Sequence, residues 1–231
     1  MDIANAITPP PIECPHCGRP LKRTSVMVGN VSYHPTCWAS CGCAESRRVW
    51  EKPPTRADKA LDRARVPTLF RGMAHPDAPR LADAMEEGEW VYVQGSYGTR
   101  KTELACCIVE ELVSNRHAHA MFSTAAELVK ARIDAPELWN RARCVDFLAI
   151  DDLGKEGTSE YSVAAMWELV DARYSASKAT AFTANYSRGD LLGLYARHGE
   201  AKTAEAIASR LQLCRCITTT GEDVRQRGGA R

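Results

Sequence analysis

The chain has 231 residues, ten of them cysteine, and a formal net charge of +1. That length suits one medium domain with a small appendage, and so balanced a charge leaves the sign of any partner open, since a local basic face suffices to meet nucleic acid. No apolar run of about 18 residues occurs and the opening MDIANAITPPPIEC lacks the basic-then-apolar order of an export signal, so a cytoplasmic chain with reduced thiols and no membrane partner is expected.

The pattern predicts three parts: a cysteine-rich module over 1–50, a helical connector over 51–88 and an α/β domain over 89–231. Pro9-Pro10-Pro11 is a stiff lead-in. Cys14, Cys17, Cys37, Cys41 and Cys43 then crowd a stretch too poor in aliphatics to fold by burial alone. TRADKALDRAR reads as a short basic helix ended by Val66-Pro67, and a second helix is expected near Pro79 to Glu87, before Gly88. Arg56, Lys59, Arg63 and Arg65 give the first of these either a phosphate-meeting face or plain solvated surface.

From EWVYVQG onward strands and helices alternate, which predicts a parallel sheet flanked by helices. EWVYVQG is a strand running into a glycine loop. Residues 101–113 read as a helix with Leu104, Ile108 and Leu112 on one face. HAHAMF is the next strand, and Ser123 or Thr124 can cap the helix TAAELVKAR. VDFLAIDD is an apolar strand ending in two carboxylates, as a central buried strand should. SVAAMWELVDARY repeats apolar residues at helical spacing, TAFTANYS is a fourth strand, LLGLYARHGEAKTAEAIASRLQL is helical material and RCITTT is a last strand. Cys106, Cys107, Cys144, Cys214 and Cys216 sit in apolar segments and are expected to be buried.

GSYGTRKTEL, residues 95–104, nearly matches the phosphate-binding loop: Gly, four residues, Gly, Lys, then Ser or Thr. Gly95, Ser96, Tyr97, Gly98, Thr99, Arg100, Lys101 and Thr102 fill the eight positions, with Arg100 where the second glycine belongs. In a strand–loop–helix context the backbone N–H groups and the helix N-terminus hold polyphosphate. Lys101 reaches the outer phosphates and Thr102 ligates Mg2+. About 50 residues on, Asp151 is placed to hold the metal, directly or through water, and Asp152 to polarise water, at the carboxyl edge of the sheet. If the backbone at Arg100 is near helical, arginine fits without strain and its side chain can point outward; if the side chain must turn toward the phosphates, it clashes with them or displaces Lys101.

Taken together, GSYGTRKTELA, AIDDLGKE, TANYSRGDL, ASRLQL and TTTGEDVR resemble the DnaC/IstB-type AAA+ ATPases, the replicative-helicase loaders and transposase helper proteins. ARVPTLFRGM is similar to the family's entry segment, and the resemblance spans roughly residues 55–227, departing at Arg100. It implies a P-loop AAA+ (ASCE) sheet without a separate helical lid. It implies further that Asn185 is the sensor-1 polar residue orienting water and that Arg210 is an arginine finger acting on ATP in a neighbouring subunit. Arg225 matches a further family arginine. Asn185 and Arg210 would otherwise read as a turn residue and a surface arginine.

Cys14-x-x-Cys17 is a zinc knuckle by its spacing. Cys41-x-Cys43 resembles the CxC(E) ending of the zinc-bearing amino-terminal domains of some phage and Gram-positive helicase loaders, which gives Cys14, Cys17, Cys41 and Cys43 as a closed, structural Zn2+ set. Cys37 is the first alternate ligand, then His34 and His16. The expected function is an ATP-dependent helicase loader that uses ATP, Mg2+ and Zn2+, meets a replicative helicase and single-stranded DNA, and self-associates with ATP. The alternatives are a nucleotide-dead zinc adaptor and an IstB-like transposition helper.

Overall fold

A computed structural model of the chain describes residues 13–14, 17–21, 26–28, 31–33, 43, 55–157 and 159–220. Cys41, Cys37, His16, His34 and Arg225 lie outside the described residues. The chain divides into two compact units, residues 1–54 and 55–231. The first carries a short antiparallel hairpin, β1 (Val26–Val28) and β2 (Val31–Tyr33), with Val28 opposite Val31.

The second unit opens with α1 (Arg56–Arg63). Its start is fixed by a capping box: the Asp58 N–H donates to Thr55 Oγ1 at 3.1 Å and the Thr55 N–H to Asp58 Oδ2 at 2.8 Å. A 3-10 turn (Thr68–Phe70) and α2 (Ala78–Glu86) follow. Residues 55–88 pack in the same unit as the sheet, with Leu61, Val66, Leu81 and Met85 buried beside Val91 and Leu104.

Five parallel strands form the sheet: β3 (Val91–Gly95), β4 (Ala120–Thr124), β5 (Phe147–Leu153), β6 (Ala179–Ala184) and β7 (Arg215–Thr219). Their order is β4-β5-β6-β3-β7. The strand that enters the glycine loop is therefore separated from the aspartate strand by β6 alone. The helices between them are α3 (Lys101–Glu110), α4 (Ala125–Asp134), α5 (Pro136–Cys144), α6 (Glu160–Ser175), α7 (Arg188–His198) and α8 (Ala201–Gln212). Thr124, not Ser123, caps α4, while Ser123 bonds the Glu127 carboxylate. Helix α3 closes in a π turn, Glu111–Asn115. Among the described residues no helix follows β7, and no helix is long and apolar enough to cross a membrane.

Period-two alternation sorts the strand residues between two helical layers. Tyr92, Leu148, Ile150 and Phe182 join the core with Leu128, Met166 and Leu211. Val91, Val93, Ala149 and Ala181 join the other, with Leu104, Ile108 and Leu112 of α3 and its turn. The alanines on that face let α3 approach the sheet. Fully buried Arg173 ties the amino ends of the strands together: its guanidinium donates to the carbonyls of Ala142, Val145, Asp146 and Ala179 and to Thr180 Oγ1.

One expectation about packing fails. Cys106, Cys107 and Cys214 are buried, but Cys144 and Cys216 are exposed. Cys144 is the last residue of α5, past the buried Trp139 and Ala142, and Cys216 lies on the edge strand β7, where the sheet has no further neighbour.

Candidate functional site

Strand β3 delivers Gly95 against the end of β7. A Cβ at Gly95 would collide with the hydroxyl and carbonyl of Thr219, so only glycine fits this approach. The loop then folds on itself. Thr99 Oγ1 donates to the Ser96 carbonyl at 2.9 Å and lies 2.7 Å from Thr219 Oγ1. Gly98 turns with a φ of +75°, and Tyr97 projects outward, 60% exposed. Lys101 is buried, and its Nζ donates to the Ser96 carbonyl at 2.6 Å across the mouth of the loop.

The near-helical backbone that would let arginine fit without strain is not what Arg100 adopts. It stands at the N-cap of α3 with φ 61° and ψ 23°, in the left-handed region. The turn into the helix needs the conformation that glycine adopts freely and that costs other L-residues roughly 1–2 kcal/mol. Its side chain lines the rim of the loop cavity and is held by Glu103. Its Nε donates to Glu103 Oε2 at 2.8 Å and Nη2 bonds Glu103 Oε1, a fork that turns the charge back along α3. The fork raises the Arg100 pKa through that hydrogen bond to Glu103.

The two aspartates leave β5 with different surroundings. Register between β5 and β6 slips between Ile150 and Leu153, and Asp152 adopts a φ of +58°. Asp151 is buried. It accepts from Thr183 Oγ1 at 2.5 Å and from Thr102 Oγ1 at 3.1 and 3.0 Å. Burial pushes its pKa up; the Thr183 bond opposes this, the Asp152 charge adds to it, and the Thr102 bond opposes it again. Asp152 is partly exposed. Its N–H donates to Thr183 Oγ1 at 3.0 Å, and its Oδ1 pairs with Lys155 Nζ at 2.9 Å. Lys155 Nζ also lies 5.0 Å from the centre of the Tyr97 ring, so it bridges the two halves of the site.

Thr102 and Asp151 fit Mg2+. Both offer hard oxygens, and ligands about 2.1 Å from an octahedral ion and at right angles to one another lie about 3.0 Å apart. The Thr102–Asp151 separation matches that spacing.

These groups share a cavity of about 260 Å³, into which Lys101, Thr102, Asp152 and Asn185 open with Leu69 and Phe70. Asn185, just past β6, has its side-chain Nδ2 buried with no hydrogen-bond partner. An orphaned donor costs about 1–3 kcal/mol, and an acceptor brought into the cavity would remove that cost. Leu69 is 74% exposed, an apolar surface set beside the loop.

Arg210 is not in this cavity. It leaves α8 toward α6, stacks 4.4 Å from the Tyr174 ring centre and 5.5 Å from that of Trp167, and pairs with Asp171 at 3.3 Å.

In the amino-terminal unit Cys14 sits in a tight turn: the Gly18 N–H bonds the Cys14 carbonyl at 2.9 Å, and the Cys14 N–H bonds the Arg19 carbonyl at 2.9 Å. The sulfurs of Cys14, Cys17 and Cys43 all lie within 4.8 Å of one another, with Cys14 and Cys43 3.9 Å apart. That is far beyond a disulfide bond and close to the roughly 3.8 Å between thiolates at 2.3 Å on a tetrahedral Zn2+. Three of the four expected ligands thus fit the ion.

Sequence reasoning missed four participants. Thr183 has no motif, since its role comes from β6 lying beside β5. Leu69 and Phe70 stand in the quoted ARVPTLFRGM but carry no phosphate chemistry. Lys155 had a legible signal, since it stands three residues after Asp152 in IDDLGK.

No protein-family model and no curated protein matches the chain. Solved structures do. A structure of DnaI aligns over 69% of this chain and 93% of its own, at 23% identity and TM-score 0.55. A structure of the DnaC helicase loader aligns over 75% of this chain and 99% of its own, at 19% identity and TM-score 0.50. The replication initiator DnaA bound to AMPPCP and single-stranded DNA aligns over 68% of this chain and 51% of its own, at 17% identity and TM-score 0.53. The chain has the DnaC-like AAA+ fold.

Proposed function

We propose that this chain is an ATP-dependent helicase loader for DNA replication, with ATP binding and hydrolysis as its assembly switch. The observation that carries the reading is the convergence of Lys101, Thr102, Asp152 and Asn185 around one cavity at the carboxyl edge of the sheet, with buried Asp151 hydrogen-bonded to the Thr102 hydroxyl. The DnaC-like fold, and the replication roles printed for the DnaC and DnaA structures that share it, support it.

The chain's own groups divide the work. The N–H groups of residues 96–101 and the amino end of α3 bind the polyphosphate. Lys101 leaves the Ser96 carbonyl for the outer phosphates. Thr102 and Asp151 would hold Mg2+, which would supply positive charge to offset that of the polyphosphate. Asn185 donates its amide to the γ-phosphate or to the attacking water. Asp152 orients that water and accepts its hydrogen bond once Lys155 releases the carboxylate. Arg210, held on Tyr174 and Asp171 away from its own cavity, serves the ATP of a neighbouring subunit, so turnover needs self-association. Cys14, Cys17 and Cys43, with Cys41 as the fourth thiolate, hold a structural Zn2+ in the unit that grips the helicase.

Arg100 favours a second reading, a zinc adaptor that binds no nucleotide, because its left-handed backbone strains the loop. Co-precipitation with a purified hexameric replicative helicase and a dT oligonucleotide, with and without ATP and Mg2+, separates the two. ATP-dependent capture of both supports the loader. Helicase capture indifferent to ATP and to Lys101→Ala supports the adaptor.

A further inference from the structure

At the opposite end of the strands from the nucleotide cavity lies a groove of about 630 Å³, larger than the 260 Å³ at the loop. It is framed by α1, the π turn after α3, the start of β4 and the end of α5. Arg56, Arg63 and Arg141 open into it with His117 and His119. Among the described residues no carboxylate pairs with these three arginines. Their cationic neighbour Arg65 is taken by Glu127, and Asp146, the one acid among the described residues that line the groove, is taken by Lys178 at 2.6 Å. Arg141 instead donates to the Arg63 carbonyl, and burial and then the Arg65 and Arg63 charges lower its pKa. Three uncompensated cations therefore face one concavity.

Beneath the cations the floor is aliphatic, with Ala60, Ala64, Val113, Ala118, Ala120 and Val145. An adjoining apolar recess of about 360 Å³ continues it past Ala57 and Val113. Among the described residues no aromatic side chain lines either cavity other than the histidines. A nucleic-acid strand would use the arginines but would find no stacking platform and would leave the aliphatic floor wet. A helix carrying apolar residues at i, i+3, i+4 and i+7 flanked by Asp or Glu uses both, placing its apolar stripe on the floor and its carboxylates on the guanidinium forks. We propose that this groove is a docking site for an acidic amphipathic helix of a partner protein. The inference stands on the charge and shape of the groove and does not depend on nucleotide binding.

The test uses the full chain and a phage-displayed library of random peptides of roughly 16 residues, panned on wild type and counter-selected on Arg63→Glu/Arg141→Glu. Recovered peptides should be acidic with apolar residues at helical spacing. Measured by fluorescence anisotropy, they should bind the double variant at least about tenfold more weakly than wild type, the scale of losing close charge pairs. Affinity for a dT20 oligonucleotide and light-scattering mass should be unchanged. No such enrichment, or peptides that bind both proteins equally, overturns the proposal. Loss of dT20 affinity without loss of peptide binding would assign the groove to nucleic acid, and a changed mass to a second copy of the chain; either overturns it. Should the double variant melt early, Arg56→Glu replaces it, since an acid is favoured in the first turn of α1. Peptide affinity should then fall about threefold or more, and unchanged affinity overturns the proposal.

Discussion

The Thr102 hydroxyl donates to both carboxylate oxygens of Asp151, at 3.1 and 3.0 Å, joining the first turn of α3 to the end of β5. Forty-nine residues apart in sequence, the two stand as adjacent ligands of an octahedral ion would. Asp151 bears a cost for this position. Burial raises its pKa, so an ionised Asp151 destabilises the fold at neutral pH.

Asp151→Asn therefore stabilises the nucleotide-free protein while removing Mg2+-dependent binding. The gain appears as a higher Tm for the variant at neutral pH. The sign of the pH dependence follows. A carboxyl whose folded pKa is raised carries no penalty below its unfolded value near 3.8. The penalty grows as pH rises from there and is complete above the folded value. Thermal melts of both proteins from pH 4 to 8 should show the Tm gap opening with pH. A gap that closes as pH rises contradicts the assignment.

Arg100→Gly should be at least as stable as wild type, and Arg100→Ala less stable by about 0.5–1 kcal/mol. Glycine relieves the left-handed backbone as it gives up the half-exposed fork to Glu103, whereas alanine loses the fork and keeps the strain. Urea titration distinguishes them. Equal loss of stability in both variants would show that the fork, and not the backbone, dominates at this position.

Lys155→Met should raise basal ATP turnover by roughly threefold to tenfold with KM changed less than about twofold. The substitution removes the cation that occupies Asp152 at 2.9 Å. Steady-state kinetics on the isolated protein decide it. A fall in turnover with a rise in KM would place Lys155 on the phosphates instead.

Arg173→Lys should cost about 2–3 kcal/mol and leave nucleotide affinity alone. A lysine replaces the planar fork and leaves some of four buried carbonyls and one hydroxyl unpaired at the far end of the sheet from the site. Circular-dichroism melts beside a nucleotide titration check both halves, and a change in affinity at unchanged stability would contradict the structural role.

The alternation of strands and helices was legible from EWVYVQG onward because apolar runs of strand length alternate with helical spacing. The cap choice between Ser123 and Thr124 needed the backbone itself, since both hydroxyls reach Glu127. In the site, Lys101, Thr102 and the aspartate pair were readable because local chemistry defines them. Thr183 and Lys155 were not singled out. Thr183 is made functional by strand order, and Lys155 by a turn that brings it back onto Asp152. The left-handed backbone at Arg100 was also hidden, because arginine gives no sign of the turn that its glycine-like position demands. The exposed Cys144 and Cys216 show the limit of reading burial from neighbours, since helix ends and edge strands expose what the middle of an element would hide.

The measurement that tests the central claim most directly is a titration of the purified, zinc-loaded chain with a fluorescent ATP analogue and Mg2+, beside Lys101→Ala. Saturable, Mg2+-dependent binding that Lys101→Ala abolishes is the predicted result. A folded wild type that fails to bind, or that binds no better than Lys101→Ala, would contradict the switch-ATPase account.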